Sequence, residues 1–170
     1  MHNKTRNLAH AALIAALYAV LTHMQNIIFP NSASMAIQCR LSEVLCVLAL
    51  FSPSAISGLS IGCLLFNITF AAALPLDWLV GTAATLSATA AMYALRNVQV
   101  RGYPLLSMLM PALTNAILVG WELTFYIGGG FWFNAFYVAL GELIVLLIPG
   151  SILLGILKKG GLAKRLFREY

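Results

Sequence analysis

The chain has 170 residues, 61% of them hydrophobic and only 9% charged, with a mean hydropathy of +0.91. Soluble domains are roughly half apolar and a quarter charged, so this composition excludes one and requires an integral membrane protein built as a single unit. The net charge of +5 does not point to nucleic acid, because the basic residues sort by side of the membrane once the helices are placed.

The first span is predicted at about 6–24, on the rule that ~20 apolar residues cross a bilayer as a helix. Lys4 and Arg6 precede it as in a signal peptide, but the run leads into His23, Gln25 and Asn26 with no small-residue cleavage site. It therefore reads as an uncleaved first helix. Ala11, Ala15 and Ala19 recur every four residues along it, with Ala12 and Ala16 beside them. Small residues at that spacing flatten a helix for close packing. The loop from Gln25 to Gln38 carries Pro30, Asn31, Ser32 and Ser34 and is long for adjacent helices. It is expected to lie outside and close over a bound molecule, as lids do.

The second span, at about 37–51, is short for a crossing. It opens on Ile37-Gln38-Cys39-Arg40-Leu41-Ser42-Glu43, the stretch around which the rest is organised. Arg40 and Glu43 stand three residues apart, on one face of a helix and close enough to pair. Charges beside a hydrocarbon core face a protein interior or a wet cavity. Ser52-Pro53-Ser54 breaks this span, and the third is predicted at about 54–73. Leu74-Pro75 makes the next turn, and Asp77 falls in the first turn of a fourth helix at about 76–95, where an acid suits the helix dipole. Pro104 opens a fifth helix at about 104–125, Gly128-Gly129-Gly130 forms a turn, and the sixth is predicted at about 132–157 before a basic tail. The expected fold class is an all-α membrane bundle of six helices with both termini cytoplasmic.

With the N-terminus inside, Lys4, Arg6, Arg96, Arg101, Lys158, Lys159, Lys164, Arg165 and Arg168 are all cytoplasmic, nine of the ten basic residues. Arg40 alone falls outside. This is the positive-inside pattern, and a five- or seven-span count destroys it. The same topology gathers polar groups in the outer half. Glu43, Asp77 and Glu122 lie near outer helix ends, Glu142 about 15 Å deep in the sixth helix, and Asn67 and Asn115 are also inside the bundle. That asymmetry implies a pocket open to the outside, without a continuous pore.

Trp78, Trp121, Phe125, Tyr126, Phe131, Trp132, Phe133 and Phe136 cluster at the same level, as an interfacial belt with one or two rings free to stack on a ligand. Cys39, Cys46 and Cys63 read as small buried hydrophobes. The chain has no phosphate-binding Gly-rich motif, metal-ligand cluster or nucleophile elbow. It is read as a non-enzyme without a cofactor of its own.

Arg40-Leu41-Ser42-Glu43, preceded by Ile37-Gln38, resembles the QueT family. In order along the chain, Gly62-Cys63-Leu64-Leu65-Phe66-Asn67, Leu76-Asp77 with Gly81-Thr82-Ala83-Ala84-Thr85-Leu86, Pro111 with Asn115-Ala116 and Val119-Gly120-Trp121-Glu122, and Trp132 with Asn134-Ala135 and Gly141-Glu142-Leu143-Ile144-Val145 are similar to that family's later helices. The Gly128-Gly129-Gly130-Phe131 turn is outside the match. The resemblance implies a substrate-binding S component of an energy-coupling factor (ECF) transporter in a bacterial plasma membrane. Such a subunit works with a transmembrane coupling subunit and two cytoplasmic ATPases, which use the ATP. The implied substrate is a queuosine precursor, 7-aminomethyl-7-deazaguanine or a close relative. The alanine row on the first helix (Ala11, Ala15, Ala19) becomes the expected docking face.

The residues expected to bind substrate are Glu142, Glu122, Glu43, Arg40, Gln38, Asn67, Asp77, Asn115, Trp132 and Asn134. One carboxylate accepts the two adjacent N–H groups of the base and a second meets the ammonium. Arg40 is expected to neutralise Glu43 and Asp77 to cap its helix, which leaves Glu142 and Glu122 for the ligand. Asn67, Gln38 or Asn115 would donate to the base carbonyl, and Trp132 would stack on the ring. The alternatives are an S component for a different vitamin-like substrate, a stand-alone ion-coupled carrier using Glu142 and Asp77, and a non-transporting scaffold. Carriers are often built from repeated halves, which this chain lacks, and four intramembrane acids are costly in a scaffold.

Overall fold

The computed structural model describes residues 2–30, 40–70 and 73–167, with side chains from Lys4 onward. The elements are α1 (His2–Ile28), a 3₁₀ helix (Leu41–Leu50), α2 (Pro53–Thr69), α3 (Asp77–Ala94), α4 (Leu105–Tyr126), α5 (Phe131–Val145), a π-turn (Leu146–Gly150), α6 (Ser151–Lys158), a short 3₁₀ turn (Lys159–Gly161) and α7 (Leu162–Leu166). The expected first helix is longer at both ends, so Gln25 to Ile28 are helical and not part of a loop. Gln38 and most of the expected lid lie outside the described residues.

Local chemistry explains the breaks. Ser52 caps α2 by accepting from the Ser54 N–H at 3.3 Å, and Pro53, which has no N–H to leave unpaired, takes the first helical position. Gly128, Gly129 and Gly130 all have φ of +86°, a conformation side chains resist, so three glycines make the turn into α5. Pro149 lacks the N–H that an α-helix would use there, and the chain passes it in a π-turn without ending the helix. The segment Phe131–Lys158 thus runs as one 28-residue apolar rod.

Lys4–Ile28, Leu105–Tyr126 and Phe131–Lys158 are long and apolar enough to cross a membrane, while Leu41–Leu50 and Pro53–Thr69 are apolar but shorter. The long helices pack in chain order, α1 on α2, α2 on α3, α3 on α4 and α4 on α5, and the 3₁₀ helix touches α1 to α6 in turn. It is the axis of the bundle.

Side-chain contacts fix the directions. Gly58 faces Ala11 and Gly62 faces Ala15, so α1 and α2 run parallel. The 3₁₀ helix runs against α1: the Leu41 N–H donates to Gln25 Oε1 (2.7 Å), the Thr22 hydroxyl donates to Ser42 Oγ (2.7 Å) and the Tyr18 hydroxyl donates to Glu43 Oε1 (2.5 Å). Asn67 meets Asp77 and Gly120 meets Ala135, which makes α2–α3 and α4–α5 antiparallel. One end of the bundle therefore collects Lys4, Arg6, Arg96, Arg101, Lys158, Lys159, Lys164 and Arg165. Arg40 is in the opposite half.

The α1–α2 contact corrects the expected docking row. Ala11 and Ala15 are buried inside the chain's own bundle. A Cβ on Gly58 would stand 2.7 Å from the Ala11 carbonyl oxygen, and one on Gly62 would stand 2.8 Å from that of Ala15. Small residues on both helices bring the backbones together. Ala19 is half-buried, and the exposed alanines of α1 include Ala12 and Ala16.

Candidate functional site

The beginning of the 3₁₀ helix carries the charge. A 3₁₀ helix repeats every three residues, so Glu43, Cys46 and Ala49 fall on one line, and all three are buried, as is Arg40 at the cap before them. Arg40 reaches α3, where its Nη2 lies 3.6 Å from Asp77 Oδ1. Its Nη1 is 3.8 Å from Cys63 Sγ, and its guanidinium carbon stands 5.7 Å from the centre of the Phe66 ring. Glu43 is held on both oxygens, by the Tyr18 hydroxyl at 2.5 Å and the Cys46 thiol at 2.9 Å. The expected Arg40–Glu43 pair is thus replaced by Arg40–Asp77. Arg40 stands before the helix with an extended backbone (φ −80°, ψ 105°) and reaches toward the start of α3, and α1 supplies the donor for Glu43. Asp77 heads α3, but its carboxylate is an ion-pair partner as well as a favourable charge for the helix dipole.

The other two acids come from α4 and α5. Glu142 accepts from Asn115 Nδ2 at 2.6 Å and keeps its second oxygen, Oε2, without a partner. Glu122 is 0% exposed, and neither of its oxygens has a hydrogen-bond partner. Asn67 directs its amide N–H groups to the Asp77 carbonyl (2.8 Å) and Cys63 Sγ (3.6 Å), leaving its oxygen without a partner. Glycine makes this convergence possible, since a Cβ on Gly81 would stand 2.7 Å from Asn67 Nδ2.

Arg40, Glu43, Gly81, Thr85, Asn115, Val119 and Glu142 line a cavity of about 10 Å³, roughly the room one water needs. Among the described residues the site holds four carboxyls and one cation, with unpartnered oxygens on Glu122, Glu142 and Asn67. Chemically it is a site in which acceptor oxygens outnumber the donors that reach them. Among the described residues no group of three or more His, Cys, Asp or Glu is arranged to hold a metal ion.

The model of the QueT transporter family matches residues 8–159, which spans all five long helices and the charged site. The chain belongs to the QueT transporter family. No curated protein and no solved structure matches it. It is thus a membrane transport protein, and every element that contributes a charge to the site lies inside the QueT match.

The charged cluster brings together Arg40, Glu43, Asp77, Asn115 and Glu142 with Asn67, and Glu122 lies buried on the neighbouring turn of α4 from Val119. Two expected residues are elsewhere. Trp132 is 83% exposed and meets Phe131 edge-on at 5.1 Å, directed away from the bundle. Trp78, Trp121, Phe125, Phe133 and Phe136 are exposed as well, as a belt requires. Asn134 gives its amide hydrogens to Thr124 Oγ1 (3.0 Å) and the Gly128 carbonyl (2.8 Å), so it ties down the glycine turn. The aromatic residues at the QueT site are Tyr18 and Phe66, which the sequence reading did not select. Tyr18 is the one large polar side chain within the alanine-rich stretch of α1, and Phe66 adjoins Asn67 in the third-helix motif. Those positions were the available signals.

Proposed function

We propose that this QueT protein is the substrate-capturing subunit of an ATP-driven ECF importer and that it binds 7-aminomethyl-7-deazaguanine or a close relative. In this reading six helical segments cross the bacterial plasma membrane, with both termini cytoplasmic. The cluster of basic residues at one end supports that orientation, since cytoplasmic segments carry the Lys/Arg excess. The pocket then belongs to the outer half. A coupling subunit and two ATPases supply the energy, consistent with a chain that carries no phosphate-binding motif of its own.

The observation that carries the reading is the surplus of buried acceptors around Arg40. Unpartnered buried acceptors are costly and call for donors. A deazaguanine brings adjacent N–H groups and an aminomethyl ammonium, which answer to the oxygens of Glu122 and Glu142. Asp77 and Glu43 are already engaged by Arg40, Tyr18 and Cys46. The cavity at about 10 Å³ is far smaller than such a base, so capture requires helices around the 3₁₀ segment to part. Ala12 and Ala16, exposed on α1, take the docking role first expected of Ala11, Ala15 and Ala19.

The test is binding of the aminomethyl compound and its uncharged cyano analogue to the purified protein. Removing one partner of a buried charge pair costs about 3–5 kcal/mol, over a hundredfold in affinity, so Glu122→Gln and Glu142→Gln should each weaken binding by about that factor. One of them should weaken the aminomethyl compound far more than the cyano compound. Equal wild-type affinity for the two compounds would show that no acid reads the ammonium. Unaltered binding in both mutants would remove the pocket.

A further inference from the structure

The four acids of the site differ in what holds them. Asp77 faces Arg40 at 3.6 Å, Glu43 receives the Tyr18 hydroxyl and the Cys46 thiol, and Glu142 receives the Asn115 amide. Glu122 has no donor on either oxygen and no exposed surface. A carboxylate in such a place is costly to keep ionised.

The surroundings offset that cost only in part. From α3 the nearest ionisable group is Asp77, which adds a like charge. From the start of the 3₁₀ helix Arg40 is the cation within electrostatic reach, and it lies against Asp77. The 3₁₀ helix also contributes Glu43 and Cys46, bound to each other. The ionisable groups of α5 are Tyr137 and Glu142, the latter bonded to Asn115, and the π-turn has none.

We infer that Glu122 is a proton site that exchanges its proton for the ammonium of an incoming organic cation. The inference rests on the proposed reading of the pocket. The exchange is balanced: the ligand enters already protonated, the Glu122 carboxyl O–H bond breaks, its proton leaves to the outer solution, and the carboxylate left behind pairs with the ammonium. One positive charge enters as one leaves, so the buried site keeps its net charge. Glu122 then selects cationic ligands over neutral ones, because a neutral ligand has nothing to offer in place of the proton.

Two measurements test this. Infrared difference spectra of ligand-free protein, wild type minus Glu122→Gln, should contain a protonated-carboxyl band at neutral pH. Glu122→Asp keeps an ionisable group at the site and should restore a band of that class. Absence of the band in the wild type overturns the inference whether or not any ligand binds. The second measurement is calorimetric titration with 7-aminomethyl-7-deazaguanine in two buffers of different ionisation enthalpy. About one proton should be released per ligand, and affinity should rise about tenfold per pH unit over the range where free Glu122 is protonated. Glu122→Gln should abolish the release and flatten the pH dependence. Binding of the probe with no proton release from about pH 5 to about pH 8 overturns the inference while leaving the pocket assignment standing. Failure of the probe to bind removes the ligand assignment instead, and the infrared band still decides the state of Glu122.

Discussion

Tyr18→Phe isolates a single bond at the centre of the bundle. Tyr18 is 0% exposed and its hydroxyl donates to Glu43 Oε1 at 2.5 Å, while Glu43 is itself 1% exposed. Phenylalanine keeps the ring and its packing and removes only the donor. One oxygen of a buried carboxyl is then left without its protein donor. A hydrogen bond to such a group is worth about 1.5–3 kcal/mol. For a chain of this size about 1 kcal/mol moves the melting temperature by roughly 2–4 °C, so the loss should lower Tm by about 3–12 °C. Thermal unfolding of the detergent-solubilised protein measures it. The same substitution made in a Glu43→Leu background should change Tm far less, because the acceptor is gone, and the difference is the coupling energy. A Tyr18→Phe protein that melts within about 1 °C of wild type would refute the claim that α1 holds Glu43 through this bond.

Two further outcomes follow from the α1–α2 contact. Gly62→Ala places a Cβ 2.7 Å from Tyr18 Cβ and 2.8 Å from the Ala15 carbonyl oxygen, so it should destabilise by about 1–3 kcal/mol or more. Gly155→Ala has open space around its Cβ and should stabilise by about 0.5–1 kcal/mol; equal Tm values for the two variants would contradict the contact. Ala15→Trp should fail to fold, whereas Ala12→Trp should fold and bind ligand but not co-purify with a coexpressed coupling subunit. Normal assembly of Ala12→Trp would remove that face of α1 from the docking surface.

Much of this molecule was legible in its sequence because membrane helices announce themselves by length and apolarity. Pro53, Asp77, Pro104 and the Gly128–Gly130 run lie at or next to observed helix boundaries, the prolines and glycines because they constrain φ or a backbone donor and Asp77 because its charge suits the dipole at a helix start. The convergence of Arg40 with the acids was also readable, because charges are so few that burial forces them together. Pairing was less accessible. Arg40 and Glu43 satisfy the spacing rule for a helix, but Arg40 stands at the cap with an extended backbone, so its partner was across the bundle in Asp77. The alanine row failed for a related reason: spacing identifies a flat face but not what lies against it, and Gly58 and Gly62 were the complementary half. Trp132 was chosen for its chemistry, yet a ring at a helix start can point to either side, and this one points out.

The 3₁₀ geometry of Leu41–Leu50 also changes what mutations in that stretch do. At about 2 Å per residue its ten residues cover about 20 Å, where an α-helix would cover about 15 Å. Its reading frame is a triplet: Glu43, Cys46 and Ala49 form one file, and Leu41, Val44, Val47 and Leu50 form the next. Inserting one residue after Phe51 leaves both files intact. Inserting one between Arg40 and Glu43 shifts the helix by a third of a turn, so that Glu43 turns away from Tyr18 and Leu45 and Leu48 move into the places of Cys46 and Ala49. The segment behaves as a frame-sensitive key, tolerant of many apolar exchanges and intolerant of a change in length.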